Sequence, residues 1–205
     1  MRQATVAAQA LGETAWRKFP FAGDTTPITR DIVELLLNRT WRPTLTVIGA
    51  EGLPLPANAG NVLRPSTTLA LSFRLPPTAD ATACGQAIAA ALTADPPQGA
   101  RVTYTGAGAA SGWNAPPLAP WLEAAVQNAS QATFGREAAL MGEGGSIPFI
   151  GMLGEKFPDA QFVITGVLGP HSNAHGPNEF IHLPTGWKVT ASAALILADH
   201  AARTR

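Results

Sequence analysis

The chain has little of what several common classes of protein require. Its 205 residues include one cysteine, Cys84, so an internal disulfide and a zinc knuckle built from cysteines are both excluded. Fourteen lysines and arginines balance fourteen acidic residues, and this zero net charge argues against nucleic acid or an anionic membrane as the main partner. No apolar run reaches the roughly 18 residues of a membrane-spanning helix, and the first 19 residues lack the apolar core of a signal peptide. We therefore expect a cytoplasmic protein.

The first half of the chain has the pattern of a small sheet backed by helices. Two stretches, TLTVIGAEG and TTLALSFRLPP, alternate as strands do, and the second places Leu69, Leu71 and Phe73 on one face. DATACGQAIAAALTADPP then reads as a helix that ends before two prolines, and GARVTYTG as a further strand. This order predicts an antiparallel sheet with helices on it, from about residue 40 to 108.

The second half has the pattern of a piece of an α/β sheet. APPLAPWLEAAVQNASQATFG predicts a helix that stops at Gly135, and GEGGSIPFIGMLGEKFP a glycine turn that opens into a helix. AQFVITGVLG is apolar throughout, as in a strand covered on both faces, and PTGWKVTASAALILADHAA closes the chain as a helix. We therefore divide the chain near residue 112.

Two of the four histidines lie in the stretch LGPHSNAHGPNEF. His171 and His175 are four residues apart, which on a helix would place both on one face for zinc. The prolines and glycines around them make a helix here unfavourable, and the glutamate of a helical zinc motif is absent. From the pattern alone, a solvated loop histidine is favoured over a ligand, although sites in α/β proteins do gather at strand ends.

Two further features allow either a structural or a binding interpretation. MGEGGSIPF lacks the endings of a phosphate loop and of a nucleophile elbow. Its glycines and Ser146 could form a tight turn, or could present backbone N–H groups to a carboxylate. Arg74 interrupts an apolar strand, either as an edge charge or as a fork for carboxylate recognition.

Two long stretches together resemble a known family. MGEGGSIPFIGMLGEKFPDAQFVITGVLGPHSNAHGPNEFIHLPTG resembles the C-terminal catalytic segment of the dinuclear-zinc metallopeptidases, which include carnosinase, aminoacylase, acetylornithine deacetylase and glutamate carboxypeptidase. Upstream, WRPTLTVIGAEGLPLPANAGNVLRPSTTLALSFRLPP resembles that family's lid, or dimerisation, domain. The resemblance extends from about residue 41 to the C-terminus.

The resemblance implies an α/β protein in two parts. An α+β lid, with an antiparallel sheet and two helices, would occupy residues 1–112 and lack its first strand. The C-terminal piece of an α/β zinc-exopeptidase catalytic domain would occupy residues 113–205. The resemblance further implies a homodimer formed through the lid, two zinc ions per site in the intact enzyme, and small peptide or N-acyl amino acid substrates.

The histidine loop acquires specific roles from the resemblance. His175, in NAHGPNE, matches the last histidine ligand of one zinc, whereas His171 has no counterpart and is expected to be solvated. Glu179 matches the acidic residue of an Asn-Glu pair, where bracing of the loop is expected.

The substrate-binding residues implied by the resemblance lie elsewhere. Gly145 and Ser146 match the turn that grips the carboxylate end of the substrate, and Arg74 matches the lid arginine that helps to bind this carboxylate. Asn61 matches a lid position that reaches into the partner subunit's site and steadies the reacting carbonyl.

The implied chemistry is metal-assisted amide hydrolysis, in which two zincs activate a shared water and a glutamate takes its proton. The chain departs from the family here. None of its four histidines is followed by Asp two residues later, and no two acidic residues are adjacent, so the family's His-x-Asp and Glu-Glu motifs are missing. We expect these ligands in an N-terminal half outside this chain, and an isolated chain that is catalytically inactive.

Two hypotheses follow. The first is the C-terminal portion of a zinc-dependent peptidase or amidohydrolase, with a separate N-terminal half as one partner. The alternative is a non-catalytic dimerisation module derived from such an enzyme. In either case the strand QFVITGVLG requires neighbours, so we expect exposed apolar surface around residues 160–168.

Overall fold

The computed structural model describes residues 1–106, 108–143 and 148–203. Within these, seven α-helices and two strands follow one another along the chain: α1 (Arg2–Leu11), α2 (Thr14–Arg17), α3 (Ile32–Thr40), β1 (Thr44–Glu51), β2 (Thr68–Arg74), α4 (Ala81–Thr93), α5 (Pro120–Phe134), α6 (Pro148–Lys156) and α7 (Leu183–Ala201). Short 3-10 turns cover Pro56–Asn58 and Pro97–Gly99. The predicted mixture of helices with a small antiparallel sheet is confirmed.

The chain forms two compact units. The helical unit comprises residues 1–33, 115–141 and 153 onward, and the sheet unit comprises residues 34–114 and 142–152. The predicted boundary near residue 112, with a lid before it and a catalytic piece after it, stays a prediction. None of the helices in the described part of the chain combines the length and apolar character that a membrane crossing requires.

The sheet unit is built on an antiparallel pair, β1 and β2. Leu45 lies opposite Phe73 and Val47 opposite Leu71, so one face of the ribbon is apolar. A bulge at Ile48 shifts the register, and beyond it Ala50 lies opposite Leu69. The predicted alternation of β2 is therefore confirmed.

Helices on either side of this ribbon begin and end as their sequence suggests. Arg42, just before β1, donates to Glu34 at 2.6 Å and to Asn38 at 2.7 Å, both in α3. The hydrogen bond to Glu34 raises the pKa of the Arg42 guanidinium above its ordinary value. At the start of α4, the Asp80 carboxylate accepts the N–H of Ala83 at 2.9 Å, which caps the helix.

The helical unit depends on the packing of α5 against α7. Leu122, Ala125 and Ala129 are each about 2% exposed and lie on one face of α5. On the same face, the Thr133 hydroxyl lies 2.7 Å from that of Ser192 in α7. The two alanines let the helices approach closely, and α5 ends at Gly135, which adopts a left-handed φ of 70° as a C-cap.

Two predicted strands are wrong. Residues 101–105 and 161–168 belong to no strand. Their composition favours extended backbone, but a strand also needs a hydrogen-bonding neighbour, and the described residues supply none for either segment. The expected apolar exposure around 160–168 is confirmed, since Val163 is 48% exposed and Ile164 58%.

Replacing Leu122 by alanine should destabilise the helical unit by about 2–5 kcal/mol, because the change opens a cavity in a fully buried position. The free energy of unfolding, measured by urea titration with circular dichroism, tests this. The control is Leu197→Ala in α7, where the side chain is 70% exposed, and a change below about 0.5 kcal/mol is expected. Equal effects of the two variants would contradict the packing described here.

Candidate functional site

The candidate metal-binding histidine lies in a loop of the helical unit that connects residue 168 to α7. The backbone of this loop is unusual, because His171, Asn173, His175 and Asn178 all have φ between 53° and 61°. They are four of the five described non-glycine residues with positive φ in the chain. Such conformations cost free energy for residues with a Cβ, so specific contacts must hold the loop.

Short-range hydrogen bonds supply these contacts around His175. The Asn173 side-chain amide donates to the carbonyl of Pro177 at 2.7 Å, and the Gly176 N–H donates to the Asn173 carbonyl at 2.8 Å. The backbone N–H of His175 donates to Oε2 of Glu179 at 3.1 Å. The Glu179 contact is consistent with the loop-bracing role expected for this residue.

The base of the loop is closed by Ser172. This residue is 4% exposed, and its hydroxyl hydrogen-bonds the carbonyl of Leu168 and that of Gly169, the latter at 3.0 Å. Its own carbonyl accepts the N–H of Phe180 at 3.1 Å. The sequence analysis did not single out Ser172, because a serine in a polar loop carries no pattern that distinguishes a buried hydroxyl from a solvated one.

The loop leads directly into α7 through His182. The His182 N–H donates to the Leu168 carbonyl at 2.8 Å, and Nδ1 of its ring accepts the Thr185 N–H at 3.3 Å as the cap of α7. Gly169 packs against this cap with φ of 82°, and a Cβ there would lie 2.7 Å from that of His182. Only glycine therefore suits position 169.

The donor set around His175 is incomplete for a zinc ion. Both His175 and His171 are exposed, and the nearby Glu179 carboxylate is engaged by the His175 backbone. In the described ranges, no group of three histidine, cysteine or acidic side chains lies close enough to hold a metal. A zinc site needs three or four protein ligands. The described residues by themselves therefore do not fit a bound zinc, and the ligand role of His175 stays a prediction.

Arg74 and Asn61 lie in the sheet unit. Arg74 is the last residue of β2, lies opposite Thr44 and is exposed. It borders a groove of about 430 Å³ between the strand ends and α4. The groove is otherwise lined by Pro43, Thr44, Leu45, Phe73, Leu75, Cys84, Ala87 and Ile88. Asn61 is exposed in the loop between β1 and β2.

The predicted carboxylate turn cannot be placed. Gly145 and Ser146 lie outside the described residues. The chain just before them is held to the sheet unit, since Glu143 forms an ion pair with Arg39 of α3 at 2.5 Å. The Glu143 side chain is 65% exposed, so this pair contributes little stability.

Sequence comparison with known proteins tests the resemblance to the dinuclear-zinc metallopeptidases. No protein-family model matches the chain. It is 29% identical over 140 residues to the cysteinylglycine-S-conjugate dipeptidase of Corynebacterium striatum. The aligned region covers 68% of this chain and 30% of that protein.

The fold resembles two solved dipeptidases. Human carnosine dipeptidase 1 superimposes with a TM-score of 0.65 at 21% identity, over 92% of this chain and 39% of that one. The Dug1p dipeptidase of Saccharomyces cerevisiae has the same TM-score at 16% identity, over 94% of this chain and 42% of that one. The chain is thus similar in sequence to one dipeptidase and in fold to two others.

The predicted resemblance is therefore confirmed. The chain spans less than half of the length of each of these relatives. For the two solved structures, identity is low enough that the likeness concerns the fold alone.

Replacing Gly176 by alanine should disrupt the loop around His175. A Cβ at this position would lie 2.5 Å from Nδ2 of Asn173, so the hydrogen bond from Asn173 to Pro177 has to break. Chemical shifts of residues 173–179 should change markedly, with a loss of about 0.5–1.5 kcal/mol in stability, since the broken hydrogen bond is exposed. The control is Gly166→Ala, where a Cβ meets nothing within 4 Å. Undisturbed shifts of Asn173 in the first variant would contradict this geometry.

Proposed function

We infer that the chain is the C-terminal portion of a zinc-dependent metallopeptidase that hydrolyses peptide or N-acyl amide bonds of small substrates. The observation that carries this proposal is the 29% identity over 140 residues to the Corynebacterium striatum dipeptidase. That relative is named for cysteinylglycine S-conjugates, so dipeptides with a modified cysteine are the first substrates to consider. A cytoplasmic setting is part of the proposal and is supported by the single cysteine.

In this proposal, one residue of the chain binds metal and the others bind the substrate. His175 would supply one imidazole ligand of one zinc, and this residue is exposed. Arg74 pairs its guanidinium with the carboxylate of the substrate, together with the turn at Gly145 and Ser146. Asn61 would steady the reacting carbonyl in the site of the partner subunit, in a homodimer formed through the lid domain. The remaining zinc ligands and the general base come from an N-terminal half.

The isolated chain should show no turnover. One imidazole holds zinc weakly, and the described residues offer no cluster of ligands. The full chain, supplied with zinc, is assayed on cysteinylglycine S-conjugates, other dipeptides and N-acyl amino acids. We expect rates equal to those of its His175→Ala variant. Zinc-dependent turnover above that variant would overturn the proposed dependence on an N-terminal half.

A chimera tests the proposed role of His175 directly. This chain replaces the corresponding part of the Corynebacterium striatum dipeptidase, so that the rest of that enzyme supplies the missing ligands. We expect zinc-dependent hydrolysis that falls at least about a hundredfold in His175→Ala, because a metal ligand is lost. His171→Ala is the matched control, since His171 lies in the same loop with the same left-handed backbone and should retain activity.

An active chimera in which the His175→Ala variant keeps full activity would remove His175 from the metal site. A folded chimera without any activity would count against the peptidase proposal itself.

The second candidate function is a non-catalytic dimerisation or interaction module derived from such an enzyme. It is favoured by the absence of a ligand cluster in the described residues and by the exposed apolar segment at 160–168. A stable zinc-free dimer of the chain, together with an inactive chimera, would support this alternative.

A further inference from the structure

The loop that carries His175 adopts backbone conformations that are unfavourable on their own. Four of its residues hold left-handed backbone angles, and each would relax if the surrounding contacts were lost. The His175 ring is exposed and cannot fix its own backbone. The contacts that hold this backbone therefore decide the direction in which the imidazole points.

Two kinds of contact hold this backbone: hydrogen bonds of exposed side chains, from Asn173 to Pro177 and to Glu179 from His175, and those of the Ser172 hydroxyl. The Glu179 carboxylate accepts the His175 N–H at 3.1 Å, but both residues are exposed, and water competes for such a bond. Ser172 is 4% exposed, and its hydroxyl reaches the carbonyls of Leu168 and Gly169. Water reaches this hydroxyl less easily than the exposed Glu179 carboxylate, so its hydrogen bonds are harder to replace by bonds to water.

Ser172 also occupies the point where the loop closes. Its side chain holds the incoming chain at residues 168 and 169, and its carbonyl holds the outgoing chain through the N–H of Phe180 at 3.1 Å. The segment 173–179, with His175 at its centre, lies between these two ends. Removing the hydroxyl therefore releases one side of the closure, although it touches no atom of His175.

We propose that Ser172 is a positioning residue, which sets the presentation of the His175 imidazole by closing the base of its loop. The functional meaning of this role rests on the proposed function of His175 as a metal ligand. The positioning itself concerns the chain without metal and is measurable there.

The experiment uses the full chain, labelled for NMR, as wild type and as Ser172→Ala. In the wild type, His175 should show the strong intraresidue contact between its amide and α protons that positive φ produces. In Ser172→Ala this contact should weaken as the backbone relaxes, and amide exchange at Phe180 should accelerate by about tenfold, as the loss of one hydrogen bond implies.

The matched control is Ser192→Ala. Ser192 lies in the same unit and loses a comparable hydrogen bond, to Thr133 at 2.7 Å, but it lies far along α7 from the loop. This variant should leave His175 and Phe180 unchanged, so a general loss of stability is separated from a loss of positioning. Ser172→Thr keeps the hydroxyl and should restore the wild-type signals of His175.

Three results would overturn the proposal: unchanged His175 signals in a folded Ser172→Ala, the same change in Ser192→Ala, or a folded Ser172→Thr in which His175 has relaxed. If Ser172→Ala does not fold, the comparison of Ser172→Thr with the wild type decides. Addition of zinc to the active chimera then tests the proposed function separately. A His175 ring that does not respond to zinc there removes the metal role but leaves the positioning result intact.

Discussion

The carbonyl oxygen of Leu168 is the point on which the candidate site depends. It accepts the Ser172 hydroxyl from within the loop and the His182 N–H from the start of α7. One acceptor therefore joins the end of an apolar segment, the loop that bears His175 and the first turn of a 19-residue helix. Carbonyl oxygens have two lone pairs and can satisfy two donors. The geometry of the site is thus set by backbone groups as much as by the side chain that gives it chemical interest.

Much of the fold follows from local sequence. The alternation of Leu69, Leu71 and Phe73 predicted β2, and the glycine after Phe134 predicted the end of α5, because both signals act within a few residues. The segments 101–105 and 161–168 were mistaken for strands, since pairing depends on neighbours that no local pattern reveals. Ser172 was missed for a related reason: burial of a hydroxyl is a property of the folded loop and leaves no mark on the sequence.

The candidate site was predicted through resemblance more than through chemistry. His171 and His175 are indistinguishable by spacing and are both exposed with left-handed backbone. Only the position of His175 within NAHGPNE separates them. The structure adds that the two differ in bracing, because the N–H of His175 is held by Glu179. It also limits the chemistry, since the described residues contain no group of three possible ligands, whereas a zinc site needs three or four.

The bulge at Ile48 has a consequence for how this sequence is compared with others. Before it, the β1 residues that share the apolar face have odd numbers, Leu45 and Val47, and after it the matching residue is Ala50. The extra residue therefore reverses the alternation of the β1 side chains between the two faces of the ribbon. An alignment that gives this extra residue no gap will exchange the two faces of the strand beyond Ile48. The single position with no partner in β2 therefore fixes which side chains of β1 share the apolar face of the ribbon.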